Sequence, residues 1–163
     1  MEKSRNRVLI SVQEGFEAPA WFSEEKIEAY VQKVLEKLDL SSQEISILFC
    51  NDEMIQTLNK NYRDIDSPTD ILSFENGGEY EDDEGKWIEA GDMALSLETL
   101  PKNAAYFEVS QNEELKRLLI HGVLHLNGYD HGDAHVEKGV EPSDEMLKLQ
   151  EKILSEFDAV DLM

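Results

Sequence analysis

Cysteine is nearly absent from this sequence, since Cys50 is the only one among 163 residues. A single thiol cannot form an intrachain disulfide, and it cannot supply the cluster of thiolates that holds a structural zinc ion. A metal site in this chain would therefore be built from histidine and carboxylate side chains.

Long apolar segments are also missing. No hydrophobic run approaches the roughly 20 residues that a membrane-spanning helix requires. The first residues, MEKSRNRVLI, do not continue into an apolar stretch with a small-residue cleavage site, so no signal peptide is predicted. We therefore expect a cytoplasmic protein that does not engage a membrane.

Positive charge is scarce. The chain has 15 Lys and Arg residues against 36 Asp and Glu, which gives a formal net charge of −21. A field of that sign repels phosphate backbones, although a local basic cleft can still bind an anion when the excess acid lies elsewhere. Part of the acid is concentrated at residues 79–84, which we expect to form a solvent-exposed loop.

Length and composition predict one folded domain over residues 1–163. Hydrophobic residues make up 40% of the chain, which is typical of globular proteins and excludes disorder over the whole length. The apolar pattern predicts strands at residues 7–12, 45–50, 70–74 and 91–96, in the element order β-α-β-α-β-β-α-α-α. We therefore expect an α+β fold, with a small mixed sheet of about four strands packed against about five helices.

Three serines are predicted to cap helices. Ser23 precedes two glutamates and an apolar stripe, and Ser110 forms an S-x-x-E capping box with Glu113. Ser143 is expected to cap the last helix.

Three of the four histidines lie within eleven residues, HGVLHLNGYDH. On a helix, His121 and His125 would project from one face, separated by about 40° in azimuth and ~6 Å in rise. Gly128 can adopt the positive φ that ends a helix, after which the chain can return His131 towards the same point. Three imidazoles around zinc leave a position for water, whose pKa the ion lowers to about 7, so the spacing predicts an open, catalytic site.

The residues next to this triplet allow more than one interpretation. Any one of the histidines alone could be an ordinary helix-face or surface residue. His135 offers a competing pair with His131, but its segment has glycines, a proline and no apolar stripe, so we expect a loop and no ligand there. Asp130 could orient an imidazole or accept a proton, or it could be an exposed turn residue.

The histidine spacing is similar to the zinc-binding helix of metzincin proteases, with one difference. Those proteases carry a glutamate directly after the first histidine, where this chain has Gly122. Because that glutamate is the general base of peptide hydrolysis, its absence predicts metal binding without proteolysis.

A second group of polar residues lies in LNKNYRDIDSPTDILSF, residues 58–74. Arg63 is one of the few cations, and its planar guanidinium could bind a phosphate group and stabilise charge that develops on it. Asp64 and Asp66 lie beside it, so a surface ion pair is the simpler local interpretation. Asp70 and Asp92, each at the start of a predicted strand, could equally be caps or turn residues.

Three blocks, LNKNYRDIDSPTDILSF, the GDM at residues 91–93 and HGVLHLNGYDH, resemble the signature blocks of the bacterial YbeY family and follow the same order. The resemblance runs from about residue 58 to residue 131, and the last helix is also similar. It implies a single-domain α+β metalloprotein that acts as a single-strand endoribonuclease in rRNA maturation. The implied substrate is chiefly the 3′ end of 16S rRNA, with a further role in ribosome quality control.

The resemblance also implies site residues and partners. The implied cofactor is one zinc ion, held by His121, His125 and His131, and Arg63 would act in catalysis together with His121. From local chemistry and not from the resemblance, we add Asp130, Asp70 and Asp92 as supporting candidates. The charge balance adds an expected RNA-binding cleft with Arg63, Lys60 and Lys102 as its candidates. The implied partners are single-stranded rRNA, the small ribosomal subunit, a small-subunit ribosomal protein and an assembly GTPase.

The predicted reaction is metal-assisted phosphodiester cleavage, in which Arg63 stabilises the charge of the pentacovalent phosphorus. Either water or the substrate's own 2′-hydroxyl could be the nucleophile. Two other functions stay open at this point. One is a metallohydrolase of another substrate, and the other is a non-enzymatic assembly factor whose zinc site is closed by a fourth ligand such as Asp130 or His135.

Overall fold

The structure is a computed structural model that describes residues 5–130 and 144–163. The strands in these ranges are β1 (Arg7–Val12), β2 (Gln43–Cys50), β3 (Ile71–Asp82) and β4 (Gly85–Ser96). The helices are α1 (Glu24–Lys37), α2 (Asp52–Arg63), α3 (Thr99–Phe107), α4 (Gln111–Leu126) and α5 (Glu145–Glu156). This order is the predicted one, and the α+β fold class is confirmed.

The four described strands form one mixed sheet in the order β1-β2-β4-β3. β1 and β4 both run parallel to β2, whereas β3 pairs antiparallel with β4. The parallel pairs are joined by crossovers that contain helices, as parallel strands require. β3 therefore lies at one edge of the sheet, next to the strand that carries the GDM block.

The larger core lies on the face of the sheet that α1 and α4 cover, and α5 packs against α4. Serine caps begin two of these helices as predicted: Ser23 Oγ accepts a hydrogen bond from the Lys26 amide at 3.3 Å, and Ser110 Oγ accepts one from the Glu113 amide at 3.0 Å. The helices contribute apolar stripes that are fully buried against the sheet, with Ile27, Val31, Val34, Leu35, Leu115, Leu119 and Val123 among them.

The opposite face of the sheet is covered in part by α2. A small cluster there buries Ile55 of α2 against Leu72, Ala94 and Cys50. Burial raises the pKa of the Cys50 thiol to about 11, so this side chain is a neutral, space-filling group at physiological pH.

Residues 79–82 belong to a strand and not to a loop, so the prediction was wrong for them, whereas Asp83 and Glu84 form an exposed turn. β3 continues to Asp82, and its second half forms a hairpin with β4. Arg7 contacts this hairpin through ion pairs with Asp82 at 2.6 Å and Glu84 at 2.7 Å, and its guanidinium lies 3.8 Å from the centre of the Trp87 ring. These long-range contacts stabilise an acidic strand whose local sequence has no apolar alternation.

The cap of α5 also differs from the prediction. Asp144, and not Ser143, caps the helix, because its carboxylate accepts hydrogen bonds from the amides of Met146 at 2.9 Å and Leu147 at 3.2 Å. Ser143 lies outside the described residues. Across the described ranges, no helix combines the length and apolar character that crossing a bilayer would take.

Candidate metal centre

Helix α4 carries two of the three predicted zinc ligands. One face of the helix is buried on the sheet, and His121 and His125 lie half-buried at the rim of that face. Gly128 follows with a φ of +86°, a left-handed conformation that favours glycine and turns the chain away from the helix. The predicted helix, its histidine pair and its glycine stop are therefore all present.

The two imidazoles converge on one point. Nε2 of His121 and Nε2 of His125 are 3.1 Å apart, and the ring centres are 4.6 Å apart with planes inclined by 72°. Two nitrogen ligands at the usual zinc distance of ~2.0–2.1 Å in tetrahedral geometry lie about 3.3 Å from each other. The separation thus fits a pair of ligands to one ion, and a proton shared between the two nitrogens fits it as well.

The third predicted ligand, His131, lies outside the described residues, as does His135. Within residues 5–130 and 144–163, no group of three His, Cys, Asp or Glu side chains is arranged to hold a metal ion. The structure therefore brings together two of the predicted ligands and leaves the third as a prediction. Asp130 is exposed at the end of the turn after Gly128, and its supporting role also stays a prediction.

Gln150 of α5 is a functional candidate that the sequence analysis missed. Its Oε1 lies 2.7 Å from Nδ1 of His121, and only 1% of the residue is exposed. A signal was available in the sequence, because Gln150 is a polar residue in the apolar stripe that Met146 and Ile153 define. A buried polar side chain in such a stripe requires a hydrogen-bond partner, and His121 is that partner.

Packing explains the absence of a glutamate after the first histidine. Gly122 faces the sheet, and a Cβ atom added there would lie 2.2 Å from Cε and 2.9 Å from Sδ of Met93. It would also lie 3.0 Å from Cδ1 of Ile71. A glutamate at this position would point into the core and away from the two histidine rings.

The glycine of the GDM block lets β4 lie close to both β3 and α4. Gly91 has a φ of +146°, and a Cβ atom there would lie 2.1 Å from the carbonyl oxygen of Phe74 and 2.8 Å from Cδ2 of Leu126. Because Leu126 is the last residue of α4, the absence of a side chain at Gly91 lets the histidine-bearing helix approach the sheet closely.

Arg63 lies at the C-terminus of α2, where its Nη2 donates a hydrogen bond to the carbonyl oxygen of Ser73 at 3.3 Å. Ser73 pairs with Met93 across β3 and β4, and Met93 packs against Gly122, the residue after His121. These contacts connect Arg63 to the helix of the histidine pair through the edge of the sheet. The guanidinium is exposed, and a carbonyl does not neutralise its charge.

The two lysine candidates are both paired with acids. Lys60 Nζ lies 4.0 Å from Asp66, and both side chains are exposed. Lys102 Nζ lies 3.1 Å from Asp52, whose carboxylate also accepts hydrogen bonds from the hydroxyls of Ser96 and Thr99. Burial alone would raise the pKa of Asp52, but these donors outweigh it and hold the pKa below its usual value.

The two strand aspartates have different surroundings. Asp70 accepts hydrogen bonds from the Ile71 amide at 2.7 Å and from Asn103 of α3 at 2.8 Å, which favours a capping role at the start of β3. Asp92 lies on the sheet face opposite Met93 and lines a groove of about 460 Å³ with Ser46 and Tyr62. Because Met93 faces α4, the structure does not bring Asp92 to the histidine pair.

Comparisons with known proteins cover nearly the whole chain. A family model described as Endoribonuclease YbeY matches residues 14–158. Proteins named Endoribonuclease YbeY from Treponema denticola and Aquifex aeolicus are 48% identical over 154 residues and 36% identical over 156 residues. The first alignment covers 94% of this chain and 96% of the relative, and the second covers 96% and 95%.

The fold is also similar to a solved structure. The solution structure of TM1509 from Thermotoga maritima superposes with a TM-score of 0.55 at 27% identity. The match covers 93% of this chain and 88% of that one.

Proposed function

This chain belongs to the YbeY family of endoribonucleases, and on that premise we propose that it is a zinc-dependent endoribonuclease that cleaves single-stranded rRNA in the cytoplasm. The proposed reaction is processing of the 3′ end of 16S rRNA, with a part in ribosome quality control. The observation that carries the proposal is the convergence of His121 and His125, whose Nε2 atoms are 3.1 Å apart.

His121 and His125 would hold the ion, and His131 is the predicted third ligand. Neutral imidazole nitrogens suit zinc, and a site with three protein ligands keeps a position open for catalysis. When bound, such an ion supplies Lewis acidity at a phosphate oxygen or an activated water. The role of the two described histidines is to present their Nε2 lone pairs to a common point from one rigid helix.

Arg63 would bind the phosphate of the scissile bond. A planar guanidinium can donate two parallel hydrogen bonds to phosphate oxygens, and it stabilises negative charge that increases in the transition state. The contact with the Ser73 carbonyl supports this role, because it fixes the side chain of Arg63 on the sheet edge without neutralising it.

RNA binding at a net charge of −21 requires a local arrangement of charge. Part of the acidic charge is offset by ion pairs within the chain, such as those of Arg7 with Asp82 and Glu84. Lys60 and Lys102 already pair with carboxylates, so RNA would have to displace those contacts. We expect Arg63 to make the principal phosphate contact, with a small-subunit ribosomal protein and an assembly GTPase bringing the protein to its substrate.

Cleavage of an RNA fragment that contains the 3′ end of 16S rRNA tests the proposal. The purified chain should bind zinc and cut the fragment, lose cleavage when a chelator removes zinc, and regain it when zinc is returned. His121→Ala should cut no RNA, whereas Lys33→Ala, which changes an exposed residue of α1, should match the unmodified protein.

Two results would contradict the proposal. Undiminished cleavage by His121→Ala would remove the histidine pair from the reaction, and zinc binding without any RNA cleavage would favour a non-enzymatic assembly factor. The product ends also identify the nucleophile. A 2′,3′-cyclic phosphate indicates attack by the substrate's 2′-hydroxyl, whereas a 3′-hydroxyl together with a 5′-phosphate indicates attack by water.

A further inference from the structure

A chain of hydrogen bonds runs from His121 into the interface between α4 and α5. Its first link is the contact of His121 Nδ1 with Gln150 Oε1 at 2.7 Å. An amide oxygen can only accept a hydrogen bond, so Nδ1 of His121 must carry the proton. In the neutral ring, Nε2 then has a lone pair, and this is the nitrogen that faces His125.

Glu151 determines which way the Gln150 amide points. The Gln150 Nε2 group donates a hydrogen bond to Glu151 Oε2 at 3.0 Å, and a carboxylate can only accept. If the amide were reversed, its oxygen would face the carboxylate and its NH₂ group would face Nδ1 of His121. The observed orientation is therefore the one in which both contacts pair a donor with an acceptor.

Arg117 of α4 in turn holds Glu151. Its Nε lies 3.1 Å from Glu151 Oε2, and its Nη2 lies 3.1 Å from Glu151 Oε1, so the ion pair is bidentate. Its Nη1 donates to Glu114 at 2.8 Å, and the side chain of Glu114 is 2% exposed. Burial raises the pKa of Glu114, and the nearby Arg117 acts against that rise.

We propose that Gln150 is a positioning residue that fixes the tautomer and the ring orientation of His121, with Glu151 and Arg117 holding the amide in place. The inference rests on the proposed metal site, since its consequence is that Nε2 of His121 is ready to bind an ion. Hydrogen bonds to the second nitrogen of a histidine ligand commonly change metal affinity by about 10–100-fold.

A role in packing alone makes a different prediction. Gln150 is 1% exposed, so any substitution there affects the α4–α5 interface. Methionine has nearly the same shape and fills the same space, but it cannot accept the Nδ1 hydrogen bond in the way an amide oxygen does. If packing alone mattered, Gln150→Met would leave the tautomer and the orientation of the His121 ring unchanged.

The test compares Gln150→Met with the exchange variant Gln150→Glu/Glu151→Gln. The exchange keeps the net charge and an acceptor for His121 Nδ1 at position 150. It reverses the hydrogen bond between the two positions, because the new amide at position 151 donates to the new carboxylate at position 150. Gln32→Met is the matched control, because Gln32 lies on α1 and donates to the Asn6 carbonyl at 2.7 Å, not to a histidine.

The first measurement is a long-range ¹H–¹⁵N NMR spectrum of the histidine rings. It is recorded without added metal, at a pH where the rings are neutral. The unmodified protein, the exchange variant and Gln32→Met should show His121 protonated at Nδ1. Gln150→Met should show a shift of the proton to Nε2. An unchanged Nδ1–H signal in Gln150→Met, with the fold intact by circular dichroism, overturns the inference.

Competition of the protein with a zinc chelator gives the second measurement. Gln150→Met should bind zinc about 10–100-fold more weakly, and the exchange variant should remain within about threefold of the unmodified protein. Equal zinc affinity in Gln150→Met would overturn the inference. If the unmodified protein binds no zinc, the proposed metal site fails, and the tautomer spectra still decide whether Gln150 sets the ring of His121.

Discussion

Met93 of β4 fills the space that a side chain at Gly122 of α4 would need, with its Cε 2.2 Å from the position of a Gly122 Cβ atom. We expect Gly122→Ala to be destabilised by about 1–3 kcal/mol through overpacking, offset by ~1 kcal/mol of improved helix propensity. The measurement is urea unfolding. Gly122→Ala should cost less in a Met93→Ala background than in the unmodified protein, and losses that are simply additive in the double mutant would contradict the close contact.

Gly91 should tolerate substitution far less than Gly122. Its Cβ would lie 2.1 Å from a backbone oxygen, which cannot move aside as a methionine tip can. We expect Gly91→Ala to cost more than about 3 kcal/mol or to prevent folding. Gly77→Ala is the control, because Gly77 also has a positive φ but no atom within 4 Å of the added Cβ, so its cost should be ~1–2 kcal/mol. Equal losses in the two variants would refute the argument from packing.

The order of the elements was predictable because local signals define them. Ser23 and Ser110 cap helices as their sequences indicate, and the spacing of His121 and His125 sufficed to predict convergent rings. The second half of β3 was not predictable in this way, because its acidic residues show no apolar alternation. They are held as a strand by pairing with β4 and by ion pairs with Arg7, more than seventy positions away.

The candidate site shows the same division between local and long-range information. The histidine pair follows from helical periodicity within α4, whereas Gln150 reaches His121 from a helix 29 positions further along the chain. Sequence periodicity marks Gln150 as a polar residue in a buried stripe, but it does not indicate the partner. The choice between capping and supporting roles for Asp70 and Asp92 likewise depended on which sheet face and which helix each residue meets.

Asp52 predicts a pH dependence of stability. Its pKa is lowered in the folded protein by hydrogen bonds from Ser96 and Thr99 and by Lys102, against the effect of burial. A carboxyl group with a depressed folded pKa contributes stability above its unfolded pKa of about 3.9, and that contribution is lost as the pH falls through the folded pKa.

Asp52→Asn should therefore lower stability by about 1 kcal/mol at pH 7 and flatten its decline below about pH 4. Chemical unfolding at a series of pH values measures both effects. Asp66→Asn is the control, because Asp66 is exposed and lies 4.0 Å from Lys60. The stability of this variant should match that of the unmodified protein. A profile for Asp52→Asn that parallels the unmodified protein down to pH 2 would disprove the assignment.

Arg63 provides the test of how phosphate is bound. Arg63→Ala should retain zinc, since the residue lies on α2 and not on the histidine helix, and RNA cleavage should fall by about 10²–10³-fold, the usual cost of removing one electrostatic donor. Arg63→Lys should recover only part of the activity, because an ammonium group keeps the charge but not the planar fork. Single-turnover cleavage of the 16S rRNA 3′-end fragment, with zinc content and melting temperature measured on the same samples, separates catalysis from folding. Unchanged turnover in Arg63→Ala at full zinc occupancy would exclude Arg63 from the reaction. Loss of zinc from Arg63→Ala would mean that the sheet edge and the metal centre are coupled more tightly than the Ser73 contact implies.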